Sequence, residues 1–290
     1  MFISETARIC KILRNGTIQI VAGTGRWGYN GDDQLAVKCQ VNKPCGMWVV
    51  EDGEELLFCD SENHRVRRID KHGVMTTIAG MGEGGYNGDD QLAIHARLNR
   101  PRGVCVYEDE IYIADAGNHR IRKILRNGVI VTIAGSGKEG YSRRKALDSD
   151  LNFPSDLVVL RDGIYFTDEY NSRIRKIERN GTITTLAGTE IAGYNGDGFS
   201  AQNSQVNNPT GIQVYKGQVI FTDCFNQRIR KIDEHGNVVT LVGNCLSGYS
   251  GDSAFDFKTH PHRGLGSSKF SANAKNFFDG FFDVNFTFQE

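Results

Sequence analysis

Proline is scarce in this chain, at five of 290 residues, and no apolar run is long enough to cross a membrane. The opening residues, MFISETARICK, hold no stretch of the kind a secretory leader needs, so the expectation is a cytoplasmic chain with no membrane partner. An excess of one charge is missing too. With 34 basic and 35 acidic residues the net charge is −1, and no global field draws the chain to nucleic acid. The seven cysteines are odd in number and never spaced Cys-x-x-Cys. Cys59 and Cys105 occupy positions that hold small or β-branched residues in other copies of the repeat described below, so they read as buried thiols rather than disulfide partners or zinc ligands. Neither a Gly-x-Ser-x-Gly elbow nor a Walker-type loop is present.

What the chain does have is glycine, 34 of them, and a repeat. The pattern Asp-x-x-Asn-x-Arg-[Ile/Val]-Arg-[Lys/Arg]-Ile returns four times, as DSENHRVRRI, DAGNHRIRKI, DEYNSRIRKI and DCFNQRIRKI. Its aspartates are Asp60, Asp115, Asp168 and Asp223, so the steps are 55, 53 and 55 residues. A fixed period of this size means one supersecondary unit laid down repeatedly, each burying its apolar faces against its neighbours. At this length one domain buries roughly three quarters of its unfolded surface and needs no staple.

Within the unit centred on Asp115, four β-rich runs stand near Gly103 to Tyr107, Ile111 to Ala114, Arg120 to Leu125 and Val129 to Ala134. Turn material such as Asn127-Gly128 separates them, and Asn-Gly is a strong hairpin signal. Each unit is therefore expected to be a four-stranded antiparallel meander, opened by Gly46, Gly103 or Gly211, with Asp156 in place of the glycine in one copy. Such sheets arranged radially make a β-propeller. The expected fold is all-β, with repeat units at about 7–24, 42–80, 98–135, 151–188 and 206–243 inside a domain of residues 1–265. Residues 266–290 form a divergent C-terminal segment in which Asp279-Gly280 marks a hairpin turn. Residues Arg8 to Gly23 match only the last two strands of a blade, so the chain is expected to enter halfway through one. His260-Pro261-His262-Arg263-Gly264-Leu265, which is similar to Pro101-Arg102-Gly103-Val104, is the candidate to complete it. That gives four full blades plus one shared closing blade, or a piece of a larger ring.

The run from IYIAD through NHRIRKI to GVIVTIAG resembles the NHL repeat, and GGYNGDDQLAIHARLNRPRGV is similar to the long loop of bacterial and teneurin-type NHL propellers. The resemblance covers roughly residues 7 to 264. It implies a propeller, usually of six blades. Some members bind single-stranded RNA, and peptide-amidating lyases of similar fold hold zinc through histidines.

In a meander the turn between strands two and three lies at the same end as the connection to the next blade. The Asp-x-x-Asn turns and the Tyr-Asn-Gly-Asp loops, at Tyr29, Tyr86, Tyr194 and, as Tyr-Ser-Gly-Asp, Tyr249, therefore share one face. The loop aspartates are expected to cap the short helical turn that follows, as around Asp89 to Ala96. A Ca²⁺ rim is the alternative, although the loops lack an EF-hand's dense alternating acids. Asp60, Asp115, Asp168 and Asp223 are expected to bond Arg65, Arg120, Arg173 and Arg228, five residues on, as architecture. His64 and His119 hold equivalent turns and His95 the loop between, which keeps a Zn²⁺ site as an alternative; Ser172 and Gln227 replace the histidine in later copies. The strand cations are spread around the ring, whereas RNA needs a continuous basic track with stacking aromatics.

Where the repeat breaks, the fold no longer explains the residue. Tyr141-Ser142-Arg143-Arg144-Lys145 puts three cations where other loops have an acid, and Trp27 stands where the next loop has glycine. Arginine and large aromatics dominate binding hot spots. The reading is a non-catalytic protein-interaction scaffold binding through Trp27, Arg143, Arg144 and Lys145, with an acidic protein partner, no cofactor, and a monomeric state once the ring closes. A metal-dependent lyase or hydrolase and an RNA-binding propeller remain the alternatives.

Overall fold

The computed structural model describes residues 1–50, 55–142 and 144–243. They form five antiparallel sheets in chain order, the blades of a β-propeller. The second blade runs Pro44–Val49, Leu56–Asp60, Arg65–Ile69 and Val74–Ala79, with each strand paired antiparallel to the next. The third (Gly103–Tyr107, Glu110–Asp115, Arg120–Ile124, Val129–Ala134) follows the expected runs almost residue for residue. The fourth begins at Pro154–Leu160 and the fifth at Pro209–Tyr215. All eight described helices are three-residue 3-10 turns, and none is long and apolar enough to cross a membrane.

The core is layered between blades. Cys59, Val66 and Ala79 of the second blade pack with Val104, Ile113 and Ile130 of the third, and equivalent clusters join the first to the second, the third to the fourth and the fourth to the fifth. The innermost strands crowd most. A Cβ on Gly46 would lie 2.1 Å from the Arg102 carbonyl oxygen and 2.7 Å from the Gly103 Cα, so only glycine fits where these backbones cross. Cys10, Cys39, Cys45, Cys59 and Cys105 are buried free thiols, as the repeat positions of Cys59 and Cys105 suggested for those two. Burial pushes the Cys45 thiol up to about 11, which keeps it unreactive.

The first blade corrects the expected half-blade. Phe2–Glu5 pairs antiparallel with Arg8–Ile12, so the chain supplies three strands here and only the innermost position is unfilled among the described residues. The repeat pattern missed this strand because Glu5-Thr6-Ala7-Arg8 turns two residues more tightly than Asp60 to Arg65 and carries no Asp-x-x-Asn. The segment 260–265, the hairpin around Asp279-Gly280, the Tyr249 loop and the 265/266 boundary lie outside the described residues.

Gln34–Leu35 and Gln91–Leu92, in the loops before the second and third blades, pair with the outer strands of those blades. Single bridges at Lys145 and Ser200 do the same for the fourth and fifth. Beneath these covers Met75, Ile130, Ile183 and Val238 are buried, whereas Ile18, their counterpart in the first blade, is 60% exposed. Ile130→Ala should therefore cost about 2–5 kcal/mol and Ile18→Ala no more than about 0.5 kcal/mol. Equal losses in denaturant titrations would show that the register relating the two positions is wrong.

Candidate interaction face

Each long loop is fastened to the blade that follows it by the same set of contacts. Tyr29 lies under the second blade, with the Arg65 guanidinium 3.8 Å and that of Arg67 5.0 Å from its ring centroid. Tyr86, Tyr141 and Tyr194 repeat this against Arg120 and Arg122, Arg173 and Arg175, and Arg228 and Arg230. The turn asparagine completes the joint. Asn63, Asn118, Asn171 and Asn226 each donate from Nδ2 to a loop carbonyl, of Gly28, Gly85, Gly140 and Gly193 respectively. Turns and loops thus occupy one face, as the meander required.

The repeated aspartates form ion pairs, but with different arginines from those expected. Asp60 meets Arg67 at 3.4 Å, Asp115 meets Arg122 at 3.3 Å, Asp168 meets Arg175 at 2.9 Å and Asp223 meets Arg230 at 3.1 Å. All eight side chains in these pairs are fully buried. Arg65 instead donates to the Asn63 and Met81 carbonyls, and Arg120 to those of Asn118 and Ser136. Beside each buried arginine, between Val66 and Arg67 and at the matching places, the pairing with the outer strand shifts register by one residue, and the extra residue is on the outer strand. Burial pushes all four carboxyls up, Asp115 to about 6, while the guanidinium and asparagine donors pull part of the way back.

The loop aspartates also depart from expectation. Asp32 and Asp89 do not cap a helical turn; each accepts from the buried arginine, at 2.7 and 2.9 Å, and from a threonine hydroxyl, Thr77 or Thr132. The following 3-10 turns have no side-chain cap. In the broken loop that carboxylate is lost, and Arg175 turns to the Ser142 carbonyl oxygen while sitting closer to Asp168 than its equivalents with two carboxylates sit to theirs. Arg144 and Lys145 are exposed and Arg143 lies outside the described residues; Trp27 is exposed as well.

The histidines have a structural use. His64 Nδ1 accepts the Arg100 N–H and His119 Nδ1 accepts the Phe153 N–H, both at 3.2 Å, tying each turn to the next blade. Burial lowers the pKa of both, which suits a neutral acceptor. His95 is exposed on its loop. Among the described residues these three do not come together in any group that could hold a metal ion.

Sequence reasoning passed over a cluster near the ring axis. Asp156, where other copies have glycine, is buried and accepts the Leu157 N–H at 2.9 Å and the Ile212 N–H of the next blade at 3.0 Å. Glu169, replacing Ser61, Ala116 and Cys224, is buried and bonded to Ser155. Burial raises the pKa of both carboxyls, Asp156 to about 7, while the Ile212 and Leu157 amides at Asp156 and the Arg102 charge at both pull part of the way back. A carboxyl half protonated near neutrality can accept or donate a proton. The available signal was the break in the repeat at two adjacent axial positions.

The family model of the NHL repeat matches residues 98–124, around the start of the third blade. NHL repeat-containing protein 2 of Gallus gallus is 33% identical over 120 residues, 40% of this chain and 16% of that protein. Teneurin-1 of Mus musculus is 27% identical over 255 residues, 75% of this chain and 9% of that protein. The chain thus spans less than a fifth of the length of these relatives. A solved Streptogramin B lyase shares the fold at a TM-score of 0.50 and 16% identity, over 81% of this chain and 61% of that one.

Two outcomes follow from the ion pairs and the axial carboxyl. Arg122→Ala strands two carboxylates, one of them fully buried, and should cost about 3–5 kcal/mol. Arg120→Ala removes a ring contact and two carbonyl bonds and should cost only about 1–2 kcal/mol. Chemical denaturation that ranks the two in the opposite order would overturn this division of labour. For Asp156 the folded-state pKa, about 7, lies above the ordinary carboxyl value of 3.8, so the native state holds the proton more tightly. Its contribution is then most favourable at low pH and is lost as pH rises through about 7. Asp156→Asn should lower stability at about pH 5, by orphaning one amide, yet flatten the decline towards about pH 8. Parallel pH profiles for the two proteins would refute the assignment.

Proposed function

We propose, from the premise that this chain is an NHL-repeat β-propeller, that it is a non-catalytic module whose loop-bearing face engages a protein partner. One observation carries the reading. Trp27, Tyr170, Ile191 and Phe225, exposed by 69, 54, 65 and 67%, stand in the turns and loops of that face, and no repeat rule requires them there. Ile191 belongs to the loop whose Gly193 carbonyl is held by Asn226, so it lies beside the turn bearing Phe225. The fourth and fifth blades therefore carry an apolar patch of the kind that anchors interfaces, with Arg144 and Lys145 on the loop before the fourth blade to favour an acidic rim on the partner. The small share of the relatives that this chain matches agrees with a recognition module within larger proteins.

The RNA reading loses support because the strand arginines are stacked on tyrosines or buried in ion pairs, leaving no open basic track among the described residues. The enzyme reading keeps one observation in its favour, the raised carboxyls of Asp156 and Glu169 beside Arg102.

Panning a random peptide library on the immobilised propeller tests the proposal. Recovered peptides should combine an apolar anchor with Asp or Glu, and Tyr170→Ala or Phe225→Ala should weaken them about tenfold or more without shifting the melting temperature. Arg144→Glu with Lys145→Glu should have a smaller effect that fades with added salt. Peptides indifferent to all four changes would place the binding face elsewhere.

A further inference from the structure

The turns between strands one and two and between strands three and four of each blade stand at the end of the sheets opposite the loops. At the third blade the charges of this end are matched. Lys123 meets Glu110, and Arg126 donates to the Glu108 carbonyl and meets the Asp109 carboxylate at 3.4 Å. The fourth blade carries the same two cations, as Lys176 and Arg179, but Gly163 stands where the third has Glu110. Deprived of that carboxylate, Lys176 takes Asp162 at 2.9 Å together with Glu178 at 3.0 Å. Asp162 is the counterpart of Asp109, so Arg179 keeps its bond to the Arg161 carbonyl and loses its carboxylate.

Arg161 adds to the change, because it replaces Glu108 in the same turn. No carboxylate among the described residues makes an ion pair with Arg161 or Arg179. Both side chains are exposed, and they line one open pocket with Leu160 and Asn180. Asn180 Oδ1 accepts the Thr182 N–H at 3.0 Å, which orients the amide and leaves Nδ2 as a further donor. The acids of the pocket, Asp162 and Glu178, are both held on Lys176, so the excess positive charge resides on the two guanidiniums. Across the seam, burial and a bond to Glu108 raise the pKa of the Tyr107 phenol, and the Arg179 and Arg161 charges oppose that rise, so both cations act as far as the third blade.

We propose that this end of the fourth blade binds a phosphate monoester, with Arg161 and Arg179 gripping the phosphoryl oxygens and Asn180 Nδ2 donating beside them. A monoester dianion matches the two unneutralised charges. Guanidinium forks take phosphate oxygens in pairs, whereas a carboxylate, with one charge and two oxygens, fills only one of the two forks. The site lies at the opposite end of the sheets from Trp27, Tyr170 and Phe225, so it stands apart from any protein bound there.

Titration calorimetry of the 290-residue chain with O-phosphoserine, and with a short peptide carrying one phosphoserine, tests this. Both probes should bind saturably. Arg161→Gln or Arg179→Gln should weaken each about tenfold without shifting the melting temperature, since neither side chain is buried. Arg126→Gln, at the equivalent place on the third blade, should leave both affinities unchanged. The same peptide with glutamate in place of phosphoserine should bind about tenfold more weakly. A phosphopeptide that binds more tightly than O-phosphoserine assigns the site to a phosphorylated protein segment, and one that binds no more tightly assigns it to a small phosphate monoester. Absence of saturable binding by either probe overturns the proposal. So does binding that survives Arg161→Gln combined with Arg179→Gln, or a glutamate peptide that binds as well as the phosphorylated one.

Discussion

Four buried guanidiniums hold this molecule together. Arg67, Arg122, Arg175 and Arg230 each reach the aspartate of their own blade and a carbonyl of the preceding loop, and three of them also reach the aspartate of that loop. A charge of this size cannot be desolvated without partners, so the loop must take its course before the blade can close over the arginine. The tyrosine ring beneath and the asparagine across the turn fit the same requirement. Blade, turn and preceding loop are thereby one unit, and the loop-bearing face inherits the rigidity of the sheets.

Departures from that unit are correspondingly informative. The first blade has Glu5 and Cys10 where its neighbours have aspartate and buried arginine, and its outer strand is the one left uncovered at Ile18. In the loop before the fourth blade Arg144 stands in place of the loop carboxylate, and the buried Arg175 keeps its bond to a loop backbone oxygen, so a cation is placed on the surface without breaking the joint. Asp156 joins the innermost strands of two blades through amides, a role glycine cannot fill, and it puts an ionisable group near the axis. Where copies differ without loss of framework contacts, the surface is open to a particular partner.

The repeat was legible from recurring Asp, Asn, Arg and Gly because each is tied to local geometry: a left-handed turn, a hairpin, a strand end. The inward face of the third strand was legible only in part. Alternation puts Arg65 and Arg67 on one side, and the expectation chose the arginine directly opposite Asp60. Contacts with the preceding loop go with the other, since Arg67 also donates to the Gly31 carbonyl and to Asp32, residues remote from it in sequence. Phe2–Glu5 escaped notice for a related reason, since a strand defined by pairing need not carry the repeated motif.

The sequence by itself determined the class of fold, the number and order of repeated units and the face on which turns and loops meet, because these depend on period, turn residues and strand alternation within some forty residues. Only the tertiary structure decided which carboxylate meets which guanidinium, that the histidines accept backbone amides, and that Arg102, at the third blade, acts on Asp156 and Glu169 of the fourth. Those relations join residues brought together by the curvature of the ring, and their distances are set by how closely neighbouring blades pack, a quantity no single segment of the chain encodes.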